Sequence, residues 1–319
     1  RGKIEYIGEE TVSAFIADVY NESILGKPAD NLKLVYTPLN GSGKMCVLRI
    51  LDKIGVKDVT VVPEQSEPDG NFPTCPYPNP EIREALQKGL ELCETVKPDL
   101  LLATDPDCDR LGVAVREKDG SFRLLTGNQI GCLMLYYILS CKKAQGKLPA
   151  NGAVVKSIVS TELARAICKD FGVALFDTLT GFKFIGEKIQ QFQDTGSHTF
   201  LFGFEESYGY LSGPYVRDKD GVGAACLICE MFSFYASRGI SLLDRLHELY
   251  GIYGYCLNTL HSYAFDGSAG FAKMQAVMQA LRAGFGSVMY DGSREKTSEE
   301  NIRKSAEIVR IAHGMGVGV

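Results

Sequence analysis

Three aspartates at alternate positions, Asp105, Asp107 and Asp109, stand in the stretch ATDPDCDRLG, with Arg110 directly behind the last. In an extended loop this spacing turns three carboxylates to one side, and hard oxygen donors suit Mg2+ far better than Zn2+. One divalent ion among them would leave a single surplus negative charge, which Arg110 is placed to offset. A solvated acidic loop beside a strand is the plainer alternative. An EF-hand is disfavoured, because its glycine and closing glutamate are missing and Leu111 to Val115 resume an apolar run.

Other segments carry weaker signals. GFEESYGYL sets Glu205, Glu206 and Ser207 between Gly203 and Gly209 after a β-like run, a composition that suits gripping sugar hydroxyls or, more plainly, a hairpin rim. Lys183, flanked by Phe182 and Phe184, would neutralise phosphate or move a proton if partly desolvated; otherwise it is a surface lysine at a helix start. Lys219 in VRDKDG lies between Asp218 and Asp220, whose charges would keep it protonated and able to donate, unless the run is simply solvated. The turn NGSGKM is not a Walker loop, since Pro38 and Met45 occupy positions that need Gly and Ser or Thr. As a strand-to-helix turn it can still lean backbone N–H groups toward an anion. Cys226 and Cys229 fall on the apolar face of a helix and read as core, and His198, His247, His261 and His313 have no ligand spacing. No Ser-His-Asp set, dinucleotide fingerprint or zinc deaminase pattern occurs.

Positioning such groups takes a scaffold, and the chain alternates short β-like runs with amphipathic helices. EETVSAFIADVYNESIL has a helical period, then NLKLVYT, MCVLRILDKIG and DVTVV make a βαβ unit. A proline-rich crossing from Pro63 to Glu81 leads to helix EIREALQKGLELCETV and strand PDLLLATD, so the aspartates sit at a strand's C-terminal end, where open parallel sheets place their sites. A hairpin turning at Asp119 and Gly120 precedes helix NQIGCLMLYYILSCKKAQG. From about Pro149 the cycle restarts with strand AVVKSIV, helix STELARAICKDFG, strand VALFDTL, helix TGFKFIGEKIQQF, strand TFLFGFEESYGYL and helix DGVGAACLICEMFSFYASRG. Two successive mixed-sheet α/β domains are therefore expected.

Composition agrees. A chain of 319 residues that is 45% hydrophobic and 10% aromatic can bury substantial cores in more than one domain. With 34 Lys plus Arg against 39 Asp plus Glu, the net charge is -5, and no basic cluster follows a nucleic-acid backbone, so no nucleic-acid partner is expected. Ten cysteines, mostly inside apolar runs, fit a reducing compartment better than a disulfide scaffold. No apolar run reaches the roughly 18 residues of a membrane span, and the N-terminus has no signal-peptide character, so a cytoplasmic location without a membrane partner is expected. Arg1 in place of an initiator methionine points to a start other than the natural one.

These motifs together resemble the α-D-phosphohexomutases, the phosphoglucomutases and phosphomannomutases. ATDPDCDRLGVAV is similar to their magnesium loop, DTLTGFKFIGEK to the segment entering their third domain's site, and GFEESYGYL to their sugar-specificity loop. VYTPLNGSGKMCVLRIL, PEQSEPDGNFPTCPYPNPE, LLTGNQIG and YVRDKDG follow in the family's order, from about Gly8 to Leu281. Asn40 stands where relatives usually carry histidine, and Cys108 where alanine or glycine is common. The resemblance implies reversible transfer on a phosphorylated hexose through a phosphoserine and a bisphosphorylated sugar, with glucose 1,6-bisphosphate as intermediate or activator. It implies Mg2+ on Asp105, Asp107 and Asp109, charge neutralisation by Arg110, and sugar contacts from Glu205 and Ser207, with Gly181 and Phe182 in the entering segment. Lys219 resembles the family's general acid or base, and Lys183 supports it. GFEESYG is closer to glucose and broad phosphopentose or phosphohexose mutases than to the GEMSG of bacterial phosphomannomutases.

The family's nucleophilic serine loop, of the kind TASHNP, and its C-terminal RPSGTEP-like loop have no counterpart here, which implies the two middle domains of a four-domain mutase. The expected organisation is residues 1–28 as a helix trailing from a missing first domain, 29–149 with the Mg2+ loop, 150–262 with the sugar loop, and 263–283 as a linking helix. Residues 284–319 resemble instead an internal βα segment of class II fructose-bisphosphate aldolase, through Met289, Asp291, Gly292, Ser293 and the EENIRKSAEIV helix, as in a joined sequence. That segment's apolar face, with Val288, Ile302, Ile308, Val309 and Ile311, is expected to pack loosely, and it supplies neither a closed barrel nor metal ligands. Two functions stay open: a phosphohexomutase complete only with the missing domains, and a non-catalytic Mg2+ and sugar-phosphate binding fragment. A haloacid-dehalogenase-like phosphatase is disfavoured, because its D-x-D lies near the chain start.

Overall fold

Short apolar strands buried on both faces set the architecture of the chain, whose computed structural model describes residues 5–26, 32–259, 265 and 267–285. The first half runs α1 (Glu9–Asn21), β1 (Lys33–Thr37), α2 (Lys44–Lys53), β2 (Asp58–Val61), α3 (Gln87–Val96), β3 (Leu100–Thr104), β4 (Leu111–Arg116), β5 (Phe122–Leu125) and α4 (Gly127–Ala144). Its sheet has the order β2-β1-β3-β4-β5, with β1, β2 and β3 parallel and β4 and β5 antiparallel. Leu34 and Tyr36 of β1 enter one core with Val47, Ile50 and Leu51 of α2. Val35 between them enters the opposite core with Leu86 and Cys93, as the two-residue period of a strand requires.

The second half runs β6 (Gly152–Ser157), α5 (Leu163–Phe171), β7 (Ala174–Thr178), α6 (Phe182–Thr195), β8 (Thr199–Glu205), β9 (Gly209–Leu211), α7 (Gly221–Ala236) and α8 (Leu242–Tyr253). Its sheet has the order β7-β6-β8-β9, parallel except for β9. Ala153 and Val155 face Phe182, Ile185 and Ile189 of α6, whereas Val154 joins the main core with α4 and α5. The two mixed α/β sheets are those expected. The helix expected over Glu81–Val96 starts instead as a 3-10 turn at Arg83–Leu86. The run read as one strand, Thr199–Leu211, folds into a hairpin, because Glu206 to Tyr208 turn it back with Tyr208 at φ 67°.

α4 and α7 are apolar nearly all round and lie in the main core, which runs continuously from the first sheet to the second. Thr126 starts α4 with a reciprocal capping box to Gln129. Asp220 starts α7 by accepting from the N–H groups of Val222 and Gly223. Two compact units divide the chain at 257/258, the first holding both sheets. In the second, α9 (Gly267–Phe285) is a helix with Phe271 exposed. The expectations for Val288, Met289, Asp291, Gly292, Ser293, Ile302, Ile308, Val309 and Ile311 lie outside the described residues.

Candidate active site

β3 delivers the chain to the aspartate loop and β4 takes it away, antiparallel, with Thr104 paired to Leu111. Asp105 is buried at the strand end, and its Oδ1 accepts the N–H groups of Asp109 at 3.1 Å and Arg110 at 3.0 Å. The N–H of Cys108, at φ 62°, donates to the Asp105 carbonyl at 3.0 Å. These bonds curl the loop so that one carboxylate oxygen from each of Asp105, Asp107 and Asp109 lies within 4.8 Å of the others. Burial pushes the Asp105 carboxyl up to about 7; the Arg110 N–H opposes this, and the charges of Asp109 and Asp107 add to it. Asp109 Oδ1 is buried without a hydrogen-bond partner. Three converging carboxylates and one orphaned carboxylate oxygen fit a hard divalent cation such as Mg2+.

The NGSGK turn supports this loop. Ser42 donates its N–H to the Pro106 carbonyl at 2.8 Å and its hydroxyl to the same oxygen at 3.0 Å. Gly41 lies against the Pro106 backbone so closely that a Cβ would collide with it. Lys44 pairs with Glu67. Of the turn's backbone N–H groups expected to lean toward an anion, that of Ser42 is spent on the aspartate loop and that of Gly41 on the Pro38 carbonyl.

Cations border the carboxylates on two sides. Lys219 Nζ lies 2.7 Å from Asp109 Oδ2 and 3.4 Å from Asp218. Burial lowers the Lys219 pKa, but the bond and charge from Asp109, with help from Asp218, outweigh it and leave the ammonium held above its usual range. The expectation that Asp218 and Asp220 flank it is corrected in part: Asp220 is committed to the α7 cap and to the Tyr215 hydroxyl, and Asp109 takes its place. Arg110 reaches Glu81 at 3.3 Å and stands 3.6 Å from Asp105 and 3.8 Å from Asp109.

The β8–β9 hairpin abuts this group. Leu111 N–H donates to the Tyr208 carbonyl at 3.0 Å, so the exit of the aspartate loop is stitched to the hairpin. A Cβ on Gly209 would come within 2.6 Å of Lys219 Cδ, so the lysine lies directly over the strand. Buried Glu205 accepts the Gly181 N–H at 2.7 Å, and burial raises its pKa, an effect the Gly181 bond opposes. Glu206 turns away and accepts the hydroxyls of Ser157 at 2.7 Å and Ser160 at 3.1 Å. Ser207, half-buried, lies at the turn between them.

The structure thus gathers Asp105, Asp107, Asp109, Arg110 and Lys219 around one loop, with Glu205, Ser207 and Gly181 on the adjoining hairpin and helix start. Phe182 is buried in the α6 core, and its side chain packs there with Ile185 and Ile189. Lys183 is exposed, its Nζ 5.0 Å from the centre of the Phe184 ring, and is not drawn into the aspartate cluster. Sequence reasoning missed Glu81 as a partner of Arg110; its signal, the turn Asn79-Pro80-Glu81, lay inside the crossing read only as irregular. It also missed Lys156, fully buried between Glu162 at 3.0 Å and Asp177 at 2.9 Å, which strand AVVKSIV does not announce. Cys226 and Cys229 are buried in α7 with burial pushing both thiols up, in keeping with a core role.

Comparison with known proteins matches residues 13–120 to the phosphoglucomutase/phosphomannomutase alpha/beta/alpha domain II and residues 126–253 to domain III of the same family. Residues 266–319 match class-II fructose-bisphosphate aldolase, a match that includes α9. A phosphoglucomutase of Staphylococcus saprophyticus is 34% identical over 282 residues, covering 88% of this chain and 50% of that protein. One from Staphylococcus aureus is 37% identical over 256 residues, covering 80% of this chain and 45% of that protein. The chain spans about half the length of the curated relatives it matches. Among solved structures, a phosphoglucomutase/phosphomannomutase family protein of Burkholderia thailandensis shares the fold with a TM-score of 0.60 at 20% identity, covering 83% of this chain and 51% of that one. Parafusin of Paramecium does so with a TM-score of 0.59 at 16% identity, covering 90% and 48%.

Proposed function

Because the chain belongs, over residues 13–253, to the phosphoglucomutase/phosphomannomutase family, we propose that it is the central part of a phosphoglucomutase-like intramolecular phosphotransferase. Its substrate is a hexose 1-phosphate or 6-phosphate, glucose in preference to mannose or a pentose, with glucose 1,6-bisphosphate as the intermediate. The observation that carries this reading is the junction itself: a three-carboxylate loop and a Glu-Ser hairpin joined by the Leu111–Tyr208 hydrogen bond, with Lys219 lying across both.

In this reading Asp105, Asp107 and Asp109 hold Mg2+. The ion would supply electrostatic stabilisation of charge on a transferring phosphoryl group. Lys219 and Arg110 add fixed positive charge at the same place, and Lys219, held protonated, is the group that gives a proton to a leaving sugar oxygen. Glu205, fixed by Gly181, and Ser207 grip sugar hydroxyls, so that specificity resides in the hairpin. Lys183, exposed at the start of α6, meets a phosphate from the outer side. No serine loop of the TASHNP kind occurs among these residues, so no serine of this chain is assigned the phosphoryl group. A non-catalytic Mg2+ and sugar-phosphate binding role is the second reading, favoured by the same lack of a serine loop among these residues.

Calorimetric titration of Mg2+ into the chain, with and without glucose 1,6-bisphosphate and beside Asp107→Ala, tests the proposal. Saturable binding strengthened by the sugar phosphate, and weakened on the order of tenfold or more in the variant, is expected. Binding untouched by Asp107→Ala would remove the metal from this loop. Bisphosphate binding without phosphate uptake by any residue would favour the second reading.

A further inference from the structure

We propose that Glu81 is a positioning residue that holds Arg110 off the aspartate trio and so keeps carboxylate oxygens open to a divalent cation. The inference rests on the Mg2+ reading of that trio. Arg110 Nε is buried without a hydrogen-bond partner, and so is Asp109 Oδ1 opposite it, 3.8 Å away. Asp105 Oδ2 stands 3.6 Å from the same Nε. Opposite charges at this range ordinarily close to a charge-assisted hydrogen bond of about 2.8 Å. Here the guanidinium is held from its far side, where Nη1 donates to Glu81 Oε1 at 3.3 Å.

Glu81 is fixed from its backbone. Pro80 before it is buried against β4, where a Cβ on Gly112 would meet the Pro80 Cβ at 2.8 Å. Asn79 accepts the Glu81 N–H on its side chain at 2.9 Å and the Ile82 N–H on its carbonyl at 3.0 Å, closing a rigid turn. The backbone of Glu81 is thus anchored, and the Arg110 guanidinium is held through the carboxylate that this backbone carries. Without the Glu81 charge, the guanidinium is free to rotate onto Asp105 and Asp109 and occupy the oxygens a cation needs.

The test is a double-mutant cycle on the full chain, with Mg2+ affinity measured by calorimetry. Glu81→Gln should weaken binding about fivefold, whereas the same change in an Arg110→Gln background should alter it by less than about twofold. Equal losses in both backgrounds would mean that Glu81 acts only as a charge at a distance, and would overturn the proposal. A second readout needs no metal: the Arg110 Nε–H resonance in 15N-edited spectra, assigned by its absence in Arg110→Gln. It should move downfield and exchange more slowly in Glu81→Gln as the Nε–H finds a carboxylate; an unmoved resonance sinks the tether. Absence of Mg2+ binding in the unaltered chain would refute the metal reading instead, and the Nε–H signal would still decide whether Glu81 restrains Arg110.

Discussion

At the scale of single residues, the carboxylates and cations of this site are displaced in ways that give signed predictions. Asp105 is raised to about 7 chiefly by burial, so near neutral pH a cation must displace its proton. Mg2+ affinity should therefore fall about tenfold from pH 8 to pH 6, with proton release at the lower pH, as seen by calorimetry in buffers of different ionisation enthalpy. The linkage runs the other way for the metal-free fold. A carboxyl whose pKa is raised on folding stabilises below its unfolded value near 3.9, and this contribution is lost as pH rises through about 7. Lys219 competes for Asp109 Oδ2, so Lys219→Met should tighten Mg2+ binding about threefold to tenfold while weakening glucose 1,6-bisphosphate, opposite signs in paired titrations. The aspartate trio was legible in the sequence because its geometry is local. The partners of its neighbours were not: Asp109 with Lys219 and Glu81 with Arg110 are brought together only by the fold, and Asp220, adjacent to Lys219 in sequence, is consumed by a helix cap.

At the scale of elements, what matters is how loops are held against one another. Gly41 touches the Pro106 backbone, so Gly41→Ala must push the aspartate loop aside. A loss of about 1–3 kcal/mol in denaturant unfolding is expected from such overpacking, together with weaker Mg2+ binding; an unchanged metal affinity would show that the turn is no buttress. Asp220→Ala should cost about 2 kcal/mol, more than an exposed cap, because it orphans the Tyr215 hydroxyl as well as two N–H groups of α7. Strands β1, β3 and β6 and helices α4 and α7 were readable from apolar periodicity and length. The β8–β9 hairpin was legible only as one alternative to a single strand, because residues 200–204 and 208–211 are both apolar runs and little besides Gly209 and the polar step Glu205-Glu206-Ser207 marks a turn. Its reversal is fixed by long-range bonds, from Glu206 to Ser157 and Ser160 and from the Tyr208 hydroxyl to the Leu125 carbonyl.

At the scale of the whole molecule, two family matches meet in one chain, and packing says which of them the candidate site depends on. Among the described residues, every member of the four buried apolar clusters, and every aspartate, lysine and glutamate of the candidate site, lies within residues 1–257. That unit also carries the helices through which one core passes from the first sheet to the second, so the two sheets should unfold together rather than one by one. A chain ending at Leu257 is accordingly expected to unfold in a single transition, its midpoint within a few degrees of the full chain's, and to keep its Mg2+ affinity within about twofold. A drop of more than about 10 °C, or two separated transitions, would show that stability is drawn from beyond residue 257 or that the common core does not couple the sheets. The aldolase-like match over 266–319 leads to an expectation of the opposite kind. An aldolase site is assembled from the strand ends of a closed eight-stranded barrel, and the 54 residues of the match are too few to supply that ring. The full chain should therefore release no triose phosphate from fructose 1,6-bisphosphate with or without added Zn2+, and measurable cleavage would mean that residues 266–319 contribute chemistry of their own.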